Sequence, residues 1–150
     1  MEDLNNFPKE NKYKLFFTRF EDCEPYTEKI KSPNTISRTV LHADIVPRVS
    51  LGTVEAMGPD KVGAHKHPML ERFFLGLSNN DITVYADDTF TEFKEYSTLL
   101  HIPLGSNHSV TVDENKKMNY MWMDFFLTKE GQVWLKTHQP ISTDKNEIQT

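Results

Sequence analysis

One cysteine in 150 residues excludes an internal disulfide framework, and Cys23 lies in the acidic run Glu21-Asp22-Cys23-Glu24, where neighbouring carboxylates oppose thiolate formation. A nucleophilic role for it is therefore not expected, and the absence of disulfides fits a reducing compartment. Basic residues are also in deficit, with 17 Lys and Arg against 22 Asp and Glu, a net charge of −5 and no basic run. That balance argues against nucleic acid as a partner. No apolar run approaches the ~18 residues of a membrane span, and Met1-Glu2-Asp3-Leu4-Asn5-Asn6 lacks the basic start and apolar stretch of a secretory signal. The expectation is a cytoplasmic protein without a membrane partner. Internal repeats and a helix-turn-helix pattern are missing as well, which leaves one compact domain over residues 1–150.

What is present is a concentration of metal-ligating side chains at two places. The first is Gly63-Ala64-His65-Lys66-His67-Pro68-Met69-Leu70-Glu71, and the second is Pro103-Leu104-Gly105-Ser106-Asn107-His108. His65 and His67 stand two apart, so on an extended strand both leave one face while Lys66 leaves the other. Pro68 suits a short turn that returns the Glu71 carboxylate over the same pocket, and His108 must come back through the fold. Three imidazoles and one carboxylate form a suitable shell for a divalent transition metal such as Fe, Mn, Ni, Zn or Cu.

The two segments resemble the conserved motifs of the cupin superfamily, small β-barrels whose first motif holds His-x-His followed by Glu and whose second holds Pro-x-Gly-x-x-His. The resemblance spans roughly residues 46–127. It implies an all-β fold, an antiparallel double-stranded β-helix or jelly-roll barrel, with His65, His67, Glu71 and His108 as metal ligands. It also implies a homodimer built through N-terminal strands, for which the apolar Leu15-Phe16-Phe17 group is a candidate contact. The flanks depart from the family pattern: Pro59, Ser78 and Ser97 stand where glycines are expected and Val112 where an Asn is expected. These positions are turns, not ligands.

The rest of the chain reads as an N-terminal arm over about 1–35, a barrel core over about 36–128 and a polar C-terminal tail. Strands are expected at 13–20, 35–44, 46–57, 72–77, 82–85, 99–103, 108–112 and 118–127, with Pro25 and Pro33 as breakers. The many short strands suit a closed barrel or sandwich, which leaves few exposed edges. Aromatic residues, among them Phe73, Phe74, Tyr85, Tyr120 and Trp122, supply its wall. His42, His101 and His138 are expected to be ordinary hydrogen-bonded or surface residues.

A metal held by three His and one Glu keeps open positions for a small-molecule ligand. Such a centre serves isomerases and lyases by polarising a carbonyl of a keto acid, sugar or sugar acid. It serves dioxygenases by binding oxygen beside an organic chelate, and a non-catalytic binding module is the third reading. Strand parity nominates Glu55, Tyr85, Tyr120 and Asp124 for proton transfer, with Arg48 or Arg72 available to hold a substrate carboxylate.

Overall fold

The computed structural model describes residues 14–96, 98–137 and 143–144. Within these residues ten strands form two antiparallel sheets that face each other. In chain order they are β1 (Pro25–Tyr26), β2 (Ile36–Leu41), β3 (Val49–Met57), β4 (Asp60–His65), β5 (Leu70–Gly76), β6 (Asp81–Ala86), β7 (Thr89–Lys94), β8 (Leu99–Ile102), β9 (His108–Val112) and β10 (Lys117–Phe126). The larger sheet runs β1-β2-β3-β10-β5-β8 and the smaller runs β4-β9-β6-β7. This is the jelly roll expected from the motifs.

Alternation sets the interior. On β10, Met118, Tyr120, Trp122, Asp124 and Phe126 point inward, and on β5 the inward set is Leu70, Arg72, Phe74 and Gly76. Read along β10, this inner face changes from apolar at Met118 to charged at Asp124. The packed core therefore fills one end of the barrel, where Met118, Val112, Ile82 and Phe93 are all buried. The opposite end carries the polar residues and is hollow.

Two glycines are demanded by this geometry. Gly52 on β3 pairs with Trp122 on β10, and a Cβ at position 52 would come 2.2 Å from the indole Cζ2. Gly105 has φ +74° in the turn before β9, a conformation open to glycine and costly for residues with a Cβ.

Several elements differ from expectation. Residues 14–19 form no strand; Leu15 and Phe17 are exposed and lead into a 3₁₀ turn at Phe20–Asp22. Leu15 and Phe17, whose apolar character suggested a strand there, stay exposed among the described residues. Strands β1 and β7 were not expected. Pro25 opens a two-residue edge strand, where a missing N–H costs no ladder bond, and β7 is short and largely exposed. A helix, α1 (Lys129–Thr137), stands in the stretch read as tail. Thr128 Oγ1 accepts from Gly131 N at 3.1 Å to cap it, and Gln132 Nε2 donates to Ala43 O at 3.2 Å to dock it.

Candidate metal centre and its cavity

His65 reaches the interior through an irregularity in the ladder. Val62 pairs with Val110 and His65 with His108, so three steps on β4 match two on β9. Simple alternation would turn His65 away from the side occupied by Val62; the extra residue restores it to the inner face. Gly63 lies in this bulge and its carbonyl accepts from His65 Nδ1 at 2.7 Å. His108, the first residue of β9, is held likewise by Ser106 O at 3.2 Å from Nδ1. His67 lies two residues beyond the end of β4, and all three rings are buried.

The rings converge, with centroids 4.8 Å apart for His65 and His67, 4.3 Å for His65 and His108, and 5.4 Å for His67 and His108. One ring nitrogen from each lies within 4.8 Å of the others. A carbonyl partner at Nδ1 fixes the proton there and leaves Nε2 of His65 and His108 as the lone-pair nitrogen. His108 Nε2 is buried and has no partner. Burial lowers the pKa of His65 to about 4 and that of His108 to about 3, and burial followed by the Arg72 charge holds His67 well below its usual value. At neutral pH the three imidazoles are uncharged donors, the form a divalent ion requires. Three converging neutral nitrogens, one of them orphaned, fit such an ion.

Glu71 does not join this cluster. It is an outward position of β5, and its Oε2 lies 2.7 Å from Nε2 of the partly exposed His101, whose ring stacks on Phe73 at 4.8 Å. The physical reason is parity: Leu70 and Phe74 are buried inward, so the odd residue between them faces out. Arg72 takes the inward place instead. Its Nε and Nη2 each donate to the buried Asp124 at 2.6 Å, and Nη1 lies 2.8 Å from His67 Nε2. Arg72 and Asp124 are directly opposed on β5 and β10, and the guanidinium also lies over Trp122 at 5.6 Å.

These groups open onto a cavity of about 720 Å³, within the usual range for small-molecule sites. Of the proton-transfer candidates, Tyr120 and Asp124 line it. Burial raises the Tyr120 phenol above its ordinary pKa, so it remains protonated. Glu55 and Tyr85 lie elsewhere. Glu55 pairs with Arg38 outside the barrel, and Tyr85 is an outward residue of β6 beside Phe90. Arg48 is also outside the cavity; it precedes β3 with φ 65° and donates from Nη1 to Leu127 O at 2.9 Å.

Residues not foreseen complete the lining. The segment from Tyr26 to Lys31 crosses from β1 to the smaller sheet, where Lys31 bridges Val62 and Gly63 N donates to Ile30 O at 2.7 Å. The Lys31 side chain is buried, pairs with Glu28 and donates to Ser37 Oγ at 2.7 Å. Burial lowers its pKa, an effect that Glu28 opposes. Nothing in the spacing of this segment marks it as cavity wall, because its role depends on a long-range crossing. Leu135 of α1 adds to the same lining.

No protein-family model and no curated protein matches the sequence. Solved structures do match in fold. The polyketide cyclase RemF from Streptomyces resistomycificus superposes with a TM-score of 0.62 at 14% identity, over 82% of this chain and 94% of its own. A predicted oxalate decarboxylase from Thermotoga maritima gives 0.61 at 14% identity, over 75% and 100%. A cupin-2 domain protein from Rhodospirillum rubrum gives 0.59 at 12% identity, over 85% and 89%. These likenesses establish the cupin fold for this chain.

Proposed function

We propose that this cupin-fold chain is a metal-dependent enzyme that acts on a small oxygen-rich molecule, a keto acid, sugar or sugar acid, by isomerisation or elimination. The observation that carries the reading is the convergence of His65, His67 and His108, all neutral, at the wall of a cavity that also holds Arg72, Asp124 and Tyr120. The three imidazoles would hold a divalent transition metal, which supplies Lewis acidity toward a substrate oxygen. Solved structures of similar fold include proteins described as a predicted oxalate decarboxylase and a sugar phosphate isomerase, in keeping with small oxygenated substrates.

The chain's own groups divide the remaining work. Tyr120 stays a phenol and donates a hydrogen bond or a proton to an oxygen in the cavity. Each oxygen of Asp124 accepts one bond from Arg72 and keeps lone-pair capacity, so the carboxylate can take a proton from a substrate that reaches it. The protein is proposed to act in the cytoplasm as a homodimer, a state supported by the exposed Leu15 and Phe17.

The test is metal analysis of the purified protein beside His65→Ala, followed by turnover assays on keto acids and sugar acids with and without oxygen. Metal lost in the variant together with oxygen-independent turnover supports the reading. Oxygen consumption that depends on reduced iron would transfer the protein to the dioxygenases, and equal metal content in both proteins would remove the centre altogether.

A further inference from the structure

Position 72 is where β5 offers an inward side chain beside the three histidines, and it carries a cation. Arg72 Nη1 lies 2.8 Å from His67 Nε2, and because a guanidinium can only donate, the imidazole nitrogen is the acceptor. A neutral imidazole has one lone pair and one N–H. With Nε2 accepting, the proton sits on Nδ1, which is buried and partnerless. The lone pair that a metal would need from His67 is therefore the one that Arg72 already uses. Arg72 and an ion cannot both have it.

Asp124 determines what happens to the displaced group. It grips Nε and Nη2 at 2.6 Å each, so the guanidinium stays at this wall when His67 is given up, and Nη1 alone is released toward the cavity. The charge balance then favours an anion. Asp124 already neutralises Arg72, and Glu71 is committed to His101 on the outer face. A divalent ion would bring two positive charges with no protein carboxylate among its ligands.

We propose that Arg72 occupies His67 Nε2 until a metal ion displaces it, and that the released Nη1 then binds a carboxylate or comparable oxyanion of the substrate. The inference rests on the three-histidine metal reading above. It makes Arg72 the residue that both weakens metal binding in the empty site and selects an anionic ligand in the loaded one.

Calorimetric titration of the metal-free protein with Co(II) tests the first half, using wild type, the charge-neutral double variant Arg72→Met/Asp124→Asn, and His65→Ala. The double variant is expected to bind Co(II) at least tenfold more tightly than wild type. Equal or weaker binding overturns the competition, whereas undiminished binding in His65→Ala shows that the three-histidine reading itself has failed. Should the double variant not fold, hydrogen exchange of the Arg72 Nη protons in the wild type decides the point. It should quicken at least tenfold on saturation with Zn(II), and an unchanged or slower rate overturns the proposal. Acetate, followed through the cobalt absorption bands, should bind loaded wild type at least tenfold more tightly than the loaded double variant; equal affinity eliminates the oxyanion role.

Discussion

Glu71 and Arg72, adjacent on β5, serve opposite faces of the larger sheet: Glu71 Oε2 meets His101 Nε2 at 2.7 Å outside, while Arg72 meets Asp124 and His67 inside. Substitution of Glu71 should therefore leave the metal centre intact. Glu71→Ala is expected to retain the wild-type metal content and, as a surface pair is worth ~0–1 kcal/mol, to lower stability by no more than about that. Metal analysis and a urea melt check both. Loss of metal on this change would mean that the carboxylate turns inward when the ion binds.

The opposite expectation holds across the strand. Asp124 is buried and is the bidentate partner of Arg72, so Asp124→Asn leaves a guanidinium without its counter-charge. Removing one member of a buried pair costs ~3–5 kcal/mol. Denaturant unfolding should show a loss of that order, and catalysis should fall with it. A change under about 1 kcal/mol would place Arg72 in contact with water and contradict the enclosed geometry.

How far the sequence discloses this site depends on which residues carry it. The spacing of His65 and His67 and the placement of His108 after Pro103 and Gly105 are local features, and the fold brings all three together. Glu71 shows where such reading ends. Whether it or Arg72 faces inward depends on how many residues the turn at Pro68-Met69 takes up before β5 begins, a single step of register. Strand parity likewise selected Tyr120 and Asp124 on β10, yet it gave Glu55 and Tyr85 the wrong side of β3 and β6. The wall formed by Glu28 and Lys31 is invisible to pattern, since it arises from a segment, flanked by Pro25 and Pro33, that crosses between sheets. Helix α1 escapes for another reason: Val133, Trp134 and Leu135 are consecutive, so no helical stripe stands out.

Gly105 offers a test of how the second motif is built. Its φ of +74° shapes the turn that delivers Ser106 O to His108 Nδ1, and no atom stands within 4 Å of where a Cβ would project. The cost of Gly105→Ala is thus backbone strain without a clash, of the order of 1 kcal/mol. The variant should melt a few degrees lower while still binding metal, at reduced affinity, as His108 loses part of its orientation. Unaltered melting and affinity together would show that the turn adopts another conformation at no cost.

The N-terminal segment is the proposed source of dimer contacts. Leu15 and Phe17 are more than four-fifths exposed within one chain, and Phe16 and Phe20, the latter under the Arg38 guanidinium, are close to half exposed. Deletion of residues 1–20 is expected to convert a dimer to a monomer of unchanged secondary structure. Light scattering reads the mass directly, and an unchanged mass would assign the interface to another surface.

The pH dependence of the metal-free protein follows from the three buried histidines. His65 titrates at about 4 and His108 at about 3 when folded, both below the ordinary 6.5, and His67 is also depressed. The unfolded chain therefore binds protons between pH 6.5 and about 4 that the folded chain refuses. Stability is at its full value above pH 6.5 and is lost as pH falls through that window. Each shift of one unit corresponds to ~1.4 kcal/mol, so His65 and His108 together make this loss several kcal/mol. Thermal melts of metal-free protein from pH 7 down to pH 4 should fall steeply, and replacing His65 with Gln should flatten the slope. A profile that is level over this range would mean that the folded rings take up protons as readily as the unfolded ones, which would contradict their burial.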